Sequence, residues 1–276
     1  MTLDDRTDGV TEKESDWEFG RDIDGLPVVR FVRGEREGRP WADLLTVPTP
    51  GEIGAEIRVG AEVGRGVVSA ADPVEFVLSS MSGWVVSGSV EFGEQLLRRG
   101  ATVLRHGHTM YRDLAGDPPS TGWAAWARTP LRDGLRAVPC DRDAEEVLPA
   151  CLAAYGPAHP DHRPGREQEL RLLLSGRLIG PVLPAATLAV DTDDRVVAGV
   201  VLNHFEGVPW VANVFRHPGH SYPGLGRDLL HRSLAGLAAA GSDRVGLAVS
   251  EGNPARRVYE ALGFRLDHSS LSVIVP

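Results

Sequence analysis

Phe215-Arg216-His217-Pro218-Gly219-His220-Ser221-Tyr222-Pro223-Gly224-Leu225-Gly226-Arg227-Asp228-Leu229-Leu230 decides how this chain is read. The apolar run 210–215 predicts a strand that enters a turn rich in Gly and Pro, and an amphipathic helix over about 226–240 leaves it. A Gly-x-Gly at such a turn lets backbone N–H groups converge on one point, where the helix N-terminus adds its positive end; together they form a cradle for a phosphate. Glycines in turns also serve backbone geometry alone. The reading therefore gains from a second motif, Asn253-x-Ala255-x-x-x-Tyr259-x-x-x-Gly263-Phe264, which follows one more predicted strand.

Working outward, 134–276 reads as a regular alternation of strands and helices. Residues 135–138 predict a strand, and Asp141 or Asp143 caps a helix running to about Tyr155, with Glu145 and Glu146 in its first turn and a kink at Pro149. A proline-bearing loop, 155–165, leads to a helix over 167–174 that Gly176 ends. Residues 186–190 and 196–202 pair as a hairpin around Thr192-Asp193-Asp194, and 208–215 is the next strand. Beyond the glycine turn and its helix come a strand at 244–249, a helix at 254–262 with Gly263 at its left-handed end, and two strands at 264–266 and 271–275.

The first half is plainer. Residues 1–17 are polar and acidic, an expected disordered tail. Strands are expected at 26–32 and within 55–68, a helix at 73–81 capped by Asp72, a strand at 84–86, a helix at 91–99 stopped by Gly100, and closing strands at 102–105 and 109–112. Residues 115–133, with Pro118, Pro119, Gly122 and Pro130, read as a linker whose Trp123 and Trp126 pack on a domain surface. The expected organisation is a tail (1–17), an accessory half (18–114), a linker (115–133) and a main domain (134–276).

Composition limits the function. With 276 residues, 42% of them hydrophobic, one large or two small domains are possible, and the net charge of −9 argues against nucleic-acid binding or a polybasic membrane surface. No apolar run approaches about 18 residues, and the acidic start has no leader pattern, so a cytoplasmic protein is expected. Lys13 is the sole lysine, an arginine bias that reads as the coding habit of a GC-rich bacterium. Cys140 and Cys151 match neither a redox pair nor a zinc site and read as small buried residues.

These motifs, in this order, resemble the GNAT acetyltransferase superfamily. The resemblance covers about 134–276 and is strongest over 209–264. Ser221-Tyr222-Pro223-Gly224-Leu225-Gly226 stands where the family carries Arg/Gln-x-x-Gly-x-Gly/Ala, and Pro218 matches the family proline before it. Three positions depart. Ser221 replaces Arg or Gln, Pro223 removes one N–H, and Arg216 stands where valine is frequent. The implied fold is α+β, three layers α/β/α, with a mixed, mostly antiparallel sheet flanked by helices.

The resemblance implies that loop amides from Tyr222 to Arg227, Pro223 excepted, hold the pyrophosphate of acetyl-CoA, with Ser221 at the loop's head and Arg227 adding charge. It implies that the backbone of Phe215 and Arg216 pairs with the pantetheine arm. By the same resemblance Asn253 contacts the cofactor and Tyr259 is the general acid. The acceptor is then a small-molecule amine, and no metal is required. Phe92 to Ala101 followed by Thr109 to Leu114 resembles the closing helix and strands of such a module. That suggests a degenerate N-terminal half, as in tandem actinobacterial acetyltransferases, mycothiol synthases among them. An unrelated accessory α+β domain fits the same residues.

Acetyl transfer to an amine needs an uncharged nucleophile, a polarised thioester carbonyl and a proton for the departing thiolate, whose pKa is about 8.5. A tyrosine hydroxyl suits the last task, and a backbone N–H on the strand before the glycine turn suits the second. His204 and Glu206, near the hairpin into that strand, are candidate bases acting through water. Asn213 is placed to face the acceptor. His159-Pro160-Asp161-His162 has metal-like ligands without a third partner, and its loop is where the family shapes its acceptor pocket, so Tyr155, His159 and His162 are candidate specificity residues. Each of these also has a plain structural reading: a core aromatic for Tyr259, a helix cap for Asn253, solvated loop positions for the histidines. Two other functions suit the same motifs: a non-catalytic acyl-CoA sensor and a transferase of longer acyl groups.

Overall fold

The computed structural model describes residues 28–36, 38–45, 64–69, 72–132, 134–162, 165–205, 207–219 and 224–276. The expected tail, residues 55–63 of the early strand, Glu206, and Ser221, Tyr222 and Pro223 of the glycine turn lie outside them. Contacts divide the chain into two compact units, 1–106 with 269–276, and 107–268.

The first unit holds strands β1 (Val28–Arg36), β2 (Arg39–Leu45), β3 (Gly64–Ser69) and β4 (Val85–Ser89) and helices α1 (Pro73–Ser80) and α2 (Val90–Arg98). β1 pairs antiparallel with β2 and β3, whereas β2 and β4 run parallel. Local chemistry sets the helix starts. Asp72 accepts from the Val74 and Glu75 amides at 2.9 and 3.1 Å, Pro73 follows it, and Ser89 Oγ accepts from the Phe92 amide at 3.1 Å. Val74, Val77, Phe92 and Leu96 of the helices meet Val86, Leu271 and Val273 in its core.

The second unit continues with β5 (Thr102–Asp113), which begins in the first, then α3 (Thr121–Trp126), β6 (Arg136–Pro139), α4 (Ala144–Ala154), α5 (Arg166–Leu174), β7 (Thr187–Val190), β8 (Val196–Phe205) and β9 (Val208–Arg216). α6 (Leu225–Ala239), β10 (Arg244–Ser250), α7 (Ala255–Ala261) and β11 (Arg265–Ile274) complete the chain. Its strand order is β5-β10-β9-β8-β7-β6. Every pairing in it is antiparallel except that of β9 with β10.

β8 is buried from Val196 to Leu202 because both faces of the sheet are covered. On one face Leu229, Leu230, Leu234 and Leu237 of α6, with Tyr259 and Leu262, pack on Val197, Val200 and Val211. On the other, Val147, Leu148 and Cys151 of α4 and Leu170 of α5 pack on Leu188, Val201 and Phe215. The result is the expected three layers around a mixed, mostly antiparallel sheet.

Two expectations change. The closing strands 102–105 and 109–112 are one strand, because Gly107 keeps extended backbone and pairs with Ser250. The last two strands are likewise one. The serines of His268-Ser269-Ser270 have turn-like composition, but pairing of Ser270 with Ser89 keeps the backbone extended. Within 115–133 a short helix, α3, forms, and its Trp123 and Trp126 rings lie 4.3 and 4.4 Å from the His231 ring of α6. Arg232 ties the same segment down by donating to the carbonyls of Ala127 and Thr129.

Candidate active site

β9 and β10 are paired in parallel at Trp210–Gly246 and Val211–Leu247. Close approach makes this possible: a Cβ on Gly246 would sit 2.3 Å from the Trp210 ring, so only glycine lets that indole lie across β10. Immediately beyond, β9 carries a bulge. Val201 faces Asn213 and Leu202 faces Val211, so Ala212 has no partner on β8, and such a residue bends its strand and increases its twist. β9 then runs on to Arg216 along β8 without β10 beside it. The two parallel strands diverge, and the backbone of 213–216 keeps one edge open.

Side chains from three elements gather at this opening. Tyr155, ending α4, approaches from the face covered by α4 and α5; its hydroxyl lies 2.7 Å from the Val214 carbonyl and 3.1 Å from Asn213 Oδ1. A phenol has one proton, and the shorter contact takes it, so Tyr155 is tethered to β9. Tyr259 comes from α7 on the opposite face, 8% exposed, its ring edge-on to Phe264 at 6.0 Å. Its hydroxyl makes no hydrogen bond among the described residues. Burial pushes both phenols up, and each also feels the charge of Asp161.

The loop 155–165 supplies the rest. Asp161 accepts from Asn253 Nδ2 at 2.6 Å, and Asn253 Oδ1 accepts from the Ala255 amide at 2.9 Å, so one amide both caps α7 and ties the loop to it. His159 Nδ1 accepts the Asp161 N–H at 3.0 Å, leaving its neutral ring a donor at Nε2; burial lowers its pKa and keeps that form. His162 Nδ1 lies 2.9 Å from the Tyr155 carbonyl and donates to it, since a carbonyl can only accept. Arg166, 8% exposed, lays its guanidinium 3.7 Å from the centre of the Tyr155 ring and donates to the Asp161 carbonyl at 2.5 Å.

Of the sequence candidates, Tyr155, His159, His162, Asn213, Asn253 and Tyr259 thus fall in one neighbourhood. His204 does not. It is exposed and pairs with Pro209, four residues or about 13 Å along β9 from Asn213. Phe215 is buried and Arg216 exposed at the end of β9. Gly224 holds φ 85° ahead of Leu225, and among the described residues no side chain caps the start of α6, whose first amides lack partners within the helix. Gly226 faces Val214, whose Cγ1 would lie 3.8 Å from an added Cβ, and Arg227 extends toward the Trp126 ring at 5.9 Å.

Sequence reasoning passed over Asp161 and Arg166. Asp161 entered only as part of a metal-like tetrad. Arg166 carried a usable signal: a cation in the first turn of a helix opposes the helix dipole, which suggests that it serves something outside α5. Cys151 lies closer to the site than its sequence position suggests, near Asn213 and Arg166, and burial pushes its thiol up to about 11.

Comparisons with known proteins place this fold. The model of the acetyltransferase (GNAT) family matches residues 150–264. Mycothiol acetyltransferase of Beutenbergia cavernae is 31% identical over 211 residues, 74% of this chain and 69% of that protein. A GCN5-related N-acetyltransferase from Sphaerobacter thermophilus superposes with a TM-score of 0.57 at 18% identity, covering 92% of this chain and 78% of that one. A tandem GNAT protein from the clavulanic acid biosynthesis pathway gives 0.54 at 14% identity, covering 90% and 79%. The chain belongs to the GNAT acetyltransferase family.

Proposed function

We propose that this protein moves an acetyl group from acetyl-CoA to the primary amine of a small molecule by direct attack. The supporting observation is the opening between β9 and β10, with a protonated Tyr259 phenol behind it that bonds to none of the described residues. The backbone edge of Phe215 and Arg216 would align the pantetheine arm, and the amides from Tyr222 to Arg227, Pro223 excepted, would hold the pyrophosphate. Asn253 bonds Asp161 and caps the Ala255 amide, which supports its holding the 155–165 loop beside the proposed cofactor site.

Bound acetyl-CoA supplies an activated acyl carbon. The chain's own groups do the rest. A β9 amide beside the bulge at Ala212 polarises the carbonyl. The acceptor amine, brought in as an ammonium, gives up one proton to the Asp161 carboxylate or to water, attacks the acyl carbon, and loses its second proton as the amide forms. The C–N bond forms, the C–S bond breaks, and Tyr259 protonates the leaving sulfur, to be reprotonated from solvent. The burial that keeps Tyr259 protonated also raises the pKa of a thiolate beside it, which keeps the transfer close to balanced. Tyr155, held by Val214, positions Asn213 and the strand.

The two halves support a tandem reading. β2 and β4 are a parallel pair with α1 between them in sequence and α2 following, as β9 and β10 are with α6 and α7. We read 18–114 as a shortened repeat without the glycine turn and 134–276 as the catalytic repeat.

Free-thiol release from acetyl-CoA across an amine panel tests the activity. Tyr259→Phe should lower kcat about a hundredfold while leaving acetyl-CoA affinity within a few-fold. Unchanged turnover in that variant removes Tyr259 as the acid, and acetyl-CoA binding without turnover by the parent across the panel makes the protein a sensor.

A further inference from the structure

Arg166 is the least explained side chain in the site. It is 8% exposed, its Nε is buried with no acceptor, and its one hydrogen bond among the described residues goes to the Asp161 carbonyl. No carboxylate pairs with it among the described residues. A desolvated guanidinium without an anion is costly, more so in the first turn of α5, where the helix dipole repels it. Two of the nearby acids are engaged elsewhere. Glu167 pairs with Arg171 at 2.6 Å, and Glu145 also pairs with Arg171.

Asp161 has the complementary property. Oδ2 accepts from Asn253, and no hydrogen bond reaches Oδ1 among the described residues. Arg166 donates to the backbone carbonyl of this same residue, so the two charges lie within one residue's breadth and still form no ion pair. Each is held off the other: the carboxylate by Asn253, the guanidinium by the Tyr155 ring and the Asp161 carbonyl. Asp161 is also near enough to Tyr259 to raise its pKa, which puts the carboxylate on the side where the amine must react.

Resting on the transferase reading, we propose that the acceptor carries its own carboxylate beside the reacting amine, as an α-amino acid does. Arg166 holds the carboxylate and Asp161 receives the ammonium. The acceptor thereby supplies the anion that Arg166 lacks and the cation that Asp161 lacks. An amine without a carboxylate leaves Arg166 unpaired in the closed site, and that penalty is the source of discrimination.

Calorimetry on the full chain with CoA present tests this using matched probes: the common L-amino acids, their carboxamides and their decarboxylated amines. At least one amino acid should bind about tenfold or more tightly than its own amide and amine. Equal or tighter binding of the amides or amines, or binding of no amino acid, overturns the assignment. Arg166→Gln, folded by its melting temperature, should abolish the preference for acid over amide, and Arg166→Lys should restore part of it. A preference that survives Arg166→Gln overturns the role of Arg166. Thiol release from acetyl-CoA with the same probes separates the two conclusions. Carboxylate-dependent binding without release keeps the pocket and removes the transferase; release with amides as readily as with acids keeps the transferase and removes the pocket.

Discussion

At the scale of single residues, placement against neighbours decides chemistry that residue type leaves open. His231 on α6 lies between the Trp123 and Trp126 rings with a buried, unbonded Nδ1; burial, aided by Arg227, pushes its pKa down to about 4. The unfolded chain protonates this histidine near 6.5. Between those values the unfolded state binds the extra proton, so the His231 contribution is intact above about 6.5 and stability declines as pH falls toward 4. The urea midpoint of the parent should therefore fall more steeply between pH 7 and 5 than that of His231→Gln, and parallel slopes would remove the assignment. Gly263 is a second case. It holds φ 86°, and a Cβ there would lie 1.6 Å from Nη1 of Arg112, a 5% exposed guanidinium bonded to the Asp117 carbonyl at 2.8 Å. Gly263→Ala should cost about 1–2 kcal/mol from the left-handed backbone alone and more from displacing Arg112. Gly263→Asn tolerates the backbone but brings the same Cβ, so a fully stable Asn variant would show that the crowding is not limiting.

Among the elements, those whose ends carry local chemistry were legible before any coordinates. Asp72 announces α1, Gly100 and Gly263 end α2 and α7 with positive φ, and the Asp-rich turn at 191–194 closes the β7–β8 hairpin. Elements defined by long-range pairing were not. β5 and β11 read as broken strands because Gly107 and the serines near 269 have turn-like composition, whereas their partners on β10 and β4 keep them extended. The bulge at Ala212 has no composition signal at all, because it arises from the register of β8 against β9. The same distinction governs the site. Tyr259 and Asn253 belong to a spaced motif and could be named, but the bond from Asn253 to Asp161 spans 92 positions and follows only from the fold. That bond joins the 155–165 loop, which the proposed function makes the acceptor side, to α7, and the two tasks of Asn253 can be separated. Asn253→Asp keeps an oxygen for the Ala255 amide but sets a second carboxylate against Asp161 in place of a 2.6 Å donor. It should raise the acceptor KM at least several-fold with the melting temperature nearly unchanged, and the acceptor KM should recover as pH falls toward the carboxylate range. A pH-independent defect would mean that the bond does not position the loop.

For the molecule as a whole, the choice between direct and covalent transfer turns on where its thiols are. A covalent acyl-enzyme needs a nucleophile with an accessible lone pair near the thioester, and cysteine is the side chain best suited to accept an acyl group from sulfur. The chain has two cysteines. Cys140 and Cys151 pack into the core against which α4 lies, and burial pushes their thiols up to about 12 and about 11, so neither is a thiolate near neutral pH. Cys151 is close to Asn213 yet has none of its surface exposed. On the proposed reading, with neither cysteine suited to carry the acyl group, donor and acceptor are expected to bind together, and holding them in reacting geometry at the β9–β10 opening would supply much of the rate. Initial velocities measured against acetyl-CoA at several fixed acceptor concentrations should give intersecting double-reciprocal lines. The intact mass of the protein incubated with acetyl-CoA alone should show no acetylated species. Replacing both cysteines by alanine should leave that pattern of lines unchanged even where the altered packing lowers stability. Parallel lines, together with an acetylated cysteine in the mass spectrum, would overturn direct transfer.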